Sequence, residues 1–295
     1  MRFKLHISLL LLPFFVLAQT PVKGIVVDED GNPVPYVNIW VANENSGATA
    51  SAEGVFLINA TDGNKLLVFS AVGFETKKIA AAAAEKVILK RAIFALEEVV
   101  LQKPTGKNPL IIDAYKKSDV NLNYGCGNRT PWMLAKFFAY NDSLSATPFL
   151  NRLTIMTESF KNNVTFNFRL LEVNDDGSPG KDLTTENIIV NVKRSGKKNT
   201  DVDLTPYRLN FPEKGFFVSV EFLIIESNKT IFQMKGSKEK TDGWDPSFGA
   251  LPSEKALTWK YSGGKWVKMG KRNEKVPPDY FDKFANLAIQ LTLTN

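Results

Sequence analysis

Four Ser-x-x-Lys pairs are the one nucleophile pattern compatible with a chain so poor in histidine: Ser178/Lys181, Ser195/Lys198, Ser237/Lys240 and Ser262/Lys265. That chemistry needs the pair at a pre-organised helix start, where lysine takes the serine proton. All four fall in turns or hairpin ends of a lysine-rich chain, so chance spacing accounts for them. Cys126 stands between Gly125 and Gly127 in a stretch expected to be exposed. Without a histidine base it reads as an incidental thiol. Asp28, Asp30 and Asn32 invite a calcium reading, as do Asn174, Asp175 and Asp176. Neither group follows the spacing that staggers oxygens around one ion, and both read as acidic β-turns. Glu97 and Glu98 are adjacent, so in a strand they point to opposite faces and cannot work as an acid–base pair. No catalytic residue, metal ligand or cofactor site is assigned.

Aromatic residues are the remaining lead. Trp244-Asp245-Pro246-Ser247-Phe248-Gly249 reads as a loop with two large rings beside a carboxylate. Trp244, Asp245 and Phe248 are the candidate binding residues, able to stack on a sugar or pack a partner's side chain. The competing reading makes the loop a plug over the open end of a sandwich. Trp40, on the outer face of its strand, is a weaker candidate. Trp132, Trp259 and Trp266 are assigned to the core.

The single histidine, His6, lies in MRFKLHISLLLLPFFVLA, residues 1–18. Arg2 and Lys4 form a basic start, an apolar run follows, and Val16 and Ala18 are small. This is the pattern of a secretory signal cleaved after Ala18. The apolar run is shorter than the roughly 20 residues of a spanning helix. No later segment reads as a transmembrane helix, so the mature chain is expected to be soluble and exported, in the periplasm or at the cell surface. It would then hold no histidine, which excludes Ser-His-Asp and Cys-His catalysis and the usual histidine-rich zinc sites. Loss of Arg2 and Lys4 lowers the net charge from +6 to +4. The basic runs at 193–199, 235–240 and 268–275 lie between strand-like segments and read as solvated loops, with no nucleic-acid face.

The elements that must position these residues are strands. In VNIWV (37–41), Val37, Ile39 and Val41 share one face, with Asn38 and Trp40 on the other. Apolar strands follow at 54–58, 66–72 and 86–90, after an opening strand at 22–27. Turn signals separate them. Residues 108–121 have a weak helical period. Beyond them come strands at 151–157, 164–173, 187–193, 215–226, 256–262, 265–269 and 286–295. The stretch 216–226 is apolar on both faces and is expected to be central and covered on both sides. The pattern predicts an all-β protein of two β-sandwich domains, the second jelly-roll-like, joined by a partly helical linker. The expected boundaries are a signal peptide at 1–18, a first sandwich at 19–102, a linker at 103–147 and a second sandwich at 148–295.

Gly24-Ile25-Val26, Asp28 with Gly31-Asn32-Pro33, Gly54-Val55-Phe56 and Phe69 to Phe74 together resemble the carboxypeptidase regulatory-like domain, a transthyretin-like seven-stranded sandwich. The same domain precedes the plug of many TonB-dependent outer-membrane receptors, and Leu96-Glu97-Glu98-Val99-Val100 is similar to its closing segment there. The resemblance covers about residues 20 to 102 and implies no catalysis. The second part resembles, more loosely, the C-terminal half of exported proteins that carry this domain. That likeness rests on Phe168-Arg169-Leu170, the 177–182 turn, the 211–218 stretch and Pro246-Ser247-Phe248-Gly249. The expectation is a non-enzymatic binding module for a cell-envelope protein or glycan. The alternatives are a hydrolase with a carboxylate-only site in the second sandwich, and an accessory subunit of an outer-membrane uptake system.

Overall fold

The computed structural model describes residues 21–44, 46–60, 62–92, 108–127, 132–233, 240–262, 264–273 and 276–295. The 1–18 signal segment, the Leu96–Val100 closure and Ser237 lie outside the described residues. Within them the chain is all-β, in four sheets that form two sandwiches.

In the N-terminal sandwich, Pro21–Val27 lies between Val55–Asn59 and Lys86–Ile88, forming a sheet of three. Gly47–Thr49, Asn38–Val41, Leu66–Ser70 and Lys77–Ala80 form a facing sheet of four. The expected inward side chains Val37, Ile39 and Val41 join Val26, Phe56, Leu67 and Phe69 in the core between them. Small residues let this sandwich close. A Cβ on Gly24 would run into the carbonyl oxygen of Ala84 and the ring of Phe56. The alanine run supplies that wall as a single 3-10 turn, Ala81–Ala83, with Ala81 and Ala84 buried.

The second sandwich pairs a seven-stranded with an eight-stranded sheet. The central order of the first is Val164–Val173, Phe216–Phe222, Met133–Phe138, Thr258–Ser262 and Lys265–Lys268. In the second, Phe149–Ser159 lies between Lys240–Ser253 and Ile289–Thr294. Leu287, Ile289, Leu291 and Leu293 face inward as their alternation predicts, and all are fully buried. Ala288 marks a crossover. Residues before it pair with Lys240–Ser253, and residues after it pair with Phe149–Ser159.

The segment assigned to a linker belongs largely to this second sandwich. Leu110–Ile112 pairs with Ile289–Thr294, and Leu122–Cys126 pairs with Lys240–Ser253. Met133–Phe138 sits in the centre of the seven-stranded sheet. The helical character of 108–121 amounts to one 3-10 turn, Lys117–Asp119. Lys136 clamps the segment in place. Its Nζ is buried, donates to the Ile289 carbonyl at 3.0 Å and pairs with Asp113 at 2.8 Å. Burial lowers the lysine's pKa, and Asp113 opposes that shift by favouring the charged form.

Because Asp113 is partly exposed and Lys136 is not, the two partners differ in what their loss leaves behind. Asp113→Asn strands a buried cation and is expected to cost about 1–3 kcal/mol in urea unfolding. Lys136→Met leaves only a wet carboxylate and is expected to cost less.

Candidate functional site

The residues singled out from sequence do not form a surface site. Trp244–Gly249 is part of a long strand, Lys240–Ser253, not a loop. Trp244 and Phe248 are buried in the sandwich core, and Phe248 packs edge-on against Phe166 and Phe222. Asp245 is buried as well. Its Oδ2 accepts hydrogen bonds from the backbone N–H of Phe160 (2.7 Å) and Lys161 (3.1 Å) and from the Ser159 hydroxyl (3.0 Å). The carboxylate holds a tight turn through these three bonds. Cys126, expected to be exposed, is also in the core, because its strand pairs with the one carrying Trp244. Asp28, considered for calcium, accepts from the backbone N–H of Asp30 and Asn32 and pairs with Arg91 at 3.2 Å.

The chemistry gathers on the other face of the seven-stranded sheet. Phe216–Phe222 is buried at every position. Phe216, Val218, Val220 and Phe222 enter the sandwich core, so Phe217, Ser219 and Glu221 point the opposite way. Register then builds two rows across that outer face. One runs Asn167, Glu221, Met133, Tyr261, Trp266, and the next runs Arg169, Ser219, Ala135, Trp259, Lys268.

Polar contacts in these rows are specific. Arg169 makes a two-pronged pair with Asp182, at 2.8 Å from Nε and 2.6 Å from a terminal nitrogen, while its other terminal nitrogen reaches the Met133 sulfur at 3.3 Å. Burial opposes the Arg169 charge, and Asp182 more than compensates, so the guanidinium stays ionised. Asn167 Nδ2 donates to Glu221 Oε2 at 2.7 Å and to Asn187 Oδ1 at 3.0 Å. Glu221 is 2 % exposed. Burial raises its pKa above the usual carboxylate range, with Arg169 and Asn167 opposing. Glu221 Oε1, Asn167 Oδ1 and the Ser219 hydroxyl are buried without a hydrogen-bond partner.

Aromatic rings flank this cluster. Tyr261 packs against Trp266 with centroids 5.1 Å apart. Phe217 touches both Phe137 and Trp259, and the Lys268 ammonium sits over Trp259. Trp259 and Trp266, assigned to the core from sequence, are half-buried on this outer face, because their hairpin lies at the edge of the sheet. Trp132 is the one that packs onto the core, stacked on Phe222.

The N-terminal sandwich meets the same face. Asn38, Trp40, Thr49 and Val68 lie outside that sandwich's own core and are nonetheless buried. Trp40 packs edge-on against Tyr261 at 6.0 Å. Ile224 N–H donates to Thr49 Oγ1 at 3.0 Å, and Asn187 Nδ2 donates to the Pro35 carbonyl at 3.4 Å. A Cβ on Gly73 would collide with the Thr185 carbonyl. Trp40 is therefore a junction residue, not an exposed ring. Sequence reasoning missed the cluster, although Ser219 and Glu221, two apart in an apolar strand, were its signal.

The family model described as CarboxypepD_reg-like domain matches residues 22–101. The N-terminal sandwich is a CarboxypepD_reg-like domain. Over this N-terminal region the chain is similar to the TonB-dependent receptor P39 of Formosa agariphila, 33% identical over 87 residues, which is 28% of this chain and 8% of that protein. It is also similar to the TonB-dependent receptor SusC of Bacteroides thetaiotaomicron, 36% identical over 83 residues, with the same shares of the two chains. The chain thus spans about a tenth of the length of the curated relatives it matches. Among solved structures, a clostridial cysteine protease, Cwp84 after propeptide cleavage, is 11% identical and covers 85% of this chain and 51% of that one. Its TM-score of 0.38 is too low to establish a shared fold. Gly73 has a left-handed φ of +83°, and the same residue makes the close approach to the second sandwich.

Three variants test the packing described here. Asp182→Asn leaves Arg169 buried without a counter-ion and is expected to cost about 3–5 kcal/mol, whereas Arg169→Met with Asp182→Leu is expected to cost less, both read from denaturant unfolding. Phe248→Ala is expected to cost about 3–5 kcal/mol as a core truncation.

Proposed function

We propose that the protein is an exported, non-enzymatic interaction module that contacts a protein or glycan of the cell envelope, in the periplasm or at the cell surface. Residues 1–18 serve as its signal peptide, cleaved after Ala18. The observation that carries this reading is the match of residues 22–101 to a CarboxypepD_reg-like domain, shared with proteins named as TonB-dependent receptors. No helix among the described residues is long and apolar enough to cross a membrane. The chemistry of the second sandwich fits contact rather than turnover. Its half-buried Trp259 and Trp266, with Lys268 over one ring, present flat apolar faces beside a cation at a sheet edge. Glu221, whose carboxyl burial pushes towards neutrality, is shut beneath it.

The names of the curated relatives favour one more specific reading, an accessory subunit of an outer-membrane uptake system. Both readings are tested with the folded full chain on a glycan array and in co-purification with a detergent-solubilised TonB-dependent receptor. Binding on either arm is expected, and Trp266→Ala is expected to weaken it at least about fivefold, as loss of a contact ring does. Folded protein that binds on neither arm and instead hydrolyses an oligosaccharide would overturn both readings in favour of the carboxylate-only hydrolase.

A further inference from the structure

The seam between the two sandwiches is poorly satisfied for an interior. Four buried oxygen groups have no hydrogen-bond partner: Glu221 Oε1, Asn167 Oδ1 and the Ser219 hydroxyl on the sheet, and Asn38 Oδ1 on the N-terminal sandwich. Buried polar groups are nearly always paired, because leaving one dry costs the water it gave up. Glu221 is the extreme case. Its one hydrogen-bond donor among the described residues is Asn167 Nδ2. Arg169, the cation that favours its charged form, is committed to Asp182 and to the Met133 sulfur. On the other side of Glu221 stand Met133 and then Tyr261, whose own proton burial holds in place. The residues of the N-terminal sandwich shown to touch this face, Pro35, Trp40, Thr49 and Gly73, carry no charge. An ionised Glu221 would therefore be a desolvated charge with one donor and a distracted counter-ion.

We propose that the seam is a proton-controlled clasp, closed while Glu221 is neutral and opened when Glu221 ionises and admits water. Opening bares Trp40, Tyr261 and the rest of the Tyr261–Trp266 ring pair. It also frees the unpaired oxygens to meet hydroxyl or amide donors. This deepens the interaction reading by stating when the face is available, and the clasp itself is measurable with no partner present.

The direction of the effect is fixed by where Glu221 prefers its proton. The closed form holds the proton more tightly than the open form does. Closure is thus fully favoured below the ordinary carboxylate range. It weakens by up to about tenfold per pH unit from there to the closed-state value, then no further. The chain's single histidine is His6, outside the described residues, so none of the described residues on the seam is an imidazole that competes for the transition.

The test is small-angle scattering and tryptophan fluorescence of the full chain, scanned from mildly acidic to mildly alkaline pH. The wild type is expected to expand with a one-proton slope as pH rises. Glu221→Gln is expected to remain closed throughout, and Trp40→Ala to open further at every pH with the slope kept. A wild type whose dimensions and fluorescence ignore pH overturns the clasp, and so does a Glu221→Gln curve that tracks the wild type. Should Glu221→Gln fail to fold, infrared spectra of the wild type decide. A protonated carboxylic acid that vanishes on opening supports the proposal, and a closed form with every carboxyl ionised ends it.

Discussion

A strand of a sandwich ordinarily has one dry face and one wet face. Phe216–Phe222 has two dry ones, and the architecture follows from that. Its core face, Phe216 to Phe222 by alternate residues, is apolar and meets the eight-stranded sheet. Its second face carries Ser219 and Glu221, which need cover that is not simply apolar. Neighbouring strands supply Asn167 and Arg169, Asp182 supplies the counter-charge, and the N-terminal sandwich supplies the roof. The N-terminal sandwich meets the outer side of the seven-stranded sheet through Trp40 on Tyr261 and Thr49 on the Ile224 N–H.

Charge elsewhere in the protein is used as joinery. Asp28 shapes the first acidic turn and holds Arg91, which in turn lies over the Phe74 ring. Asp245 ties the turn at Ser159 to Lys161. Lys136 pins the segment around Asp113 to the Ile289 carbonyl. Each of these contacts fixes a place where the chain leaves a strand.

Much of this was legible in the sequence. The strands at 22–27, 37–41 and 164–173 announced themselves by period and turn residues, and each is present. So did the tight hairpin in which Ser262 pairs with Lys265 and Gly264 has φ +85°. Lys240–Ser253 was hidden because Gly243, Pro246, Gly249 and Pro252 read as breakers. Pro246 is tolerated where the ladder to Leu122–Cys126 shifts register, between Trp244 and Phe248. Gly249 is required there because Met156 and Val120 press against it. The basic run around Lys197 read as a solvated loop and is instead a strand, Gly196–Asp203, with a single partner. Lysines on such a strand discourage further pairing, which is why it looked like a loop. The seam itself was illegible because it is made between domains. No local period records that Trp40 will meet Tyr261.

The pairings of Leu110–Ile112 carry a consequence for the order in which the molecule assembles. Leu110 finds its neighbour only when Leu293 has been made, and Leu122–Cys126 must wait for Ala250. The N-terminal sandwich has no such wait, since its ladders close between Pro21 and Ile88. Long-range closure is slow and short-range closure is fast. A chain emerging from a ribosome or an export pore can thus finish its first sandwich early. It then carries a long, sticky, half-paired second one until its final strand arrives, and the roof is in place before the sheet it will cover.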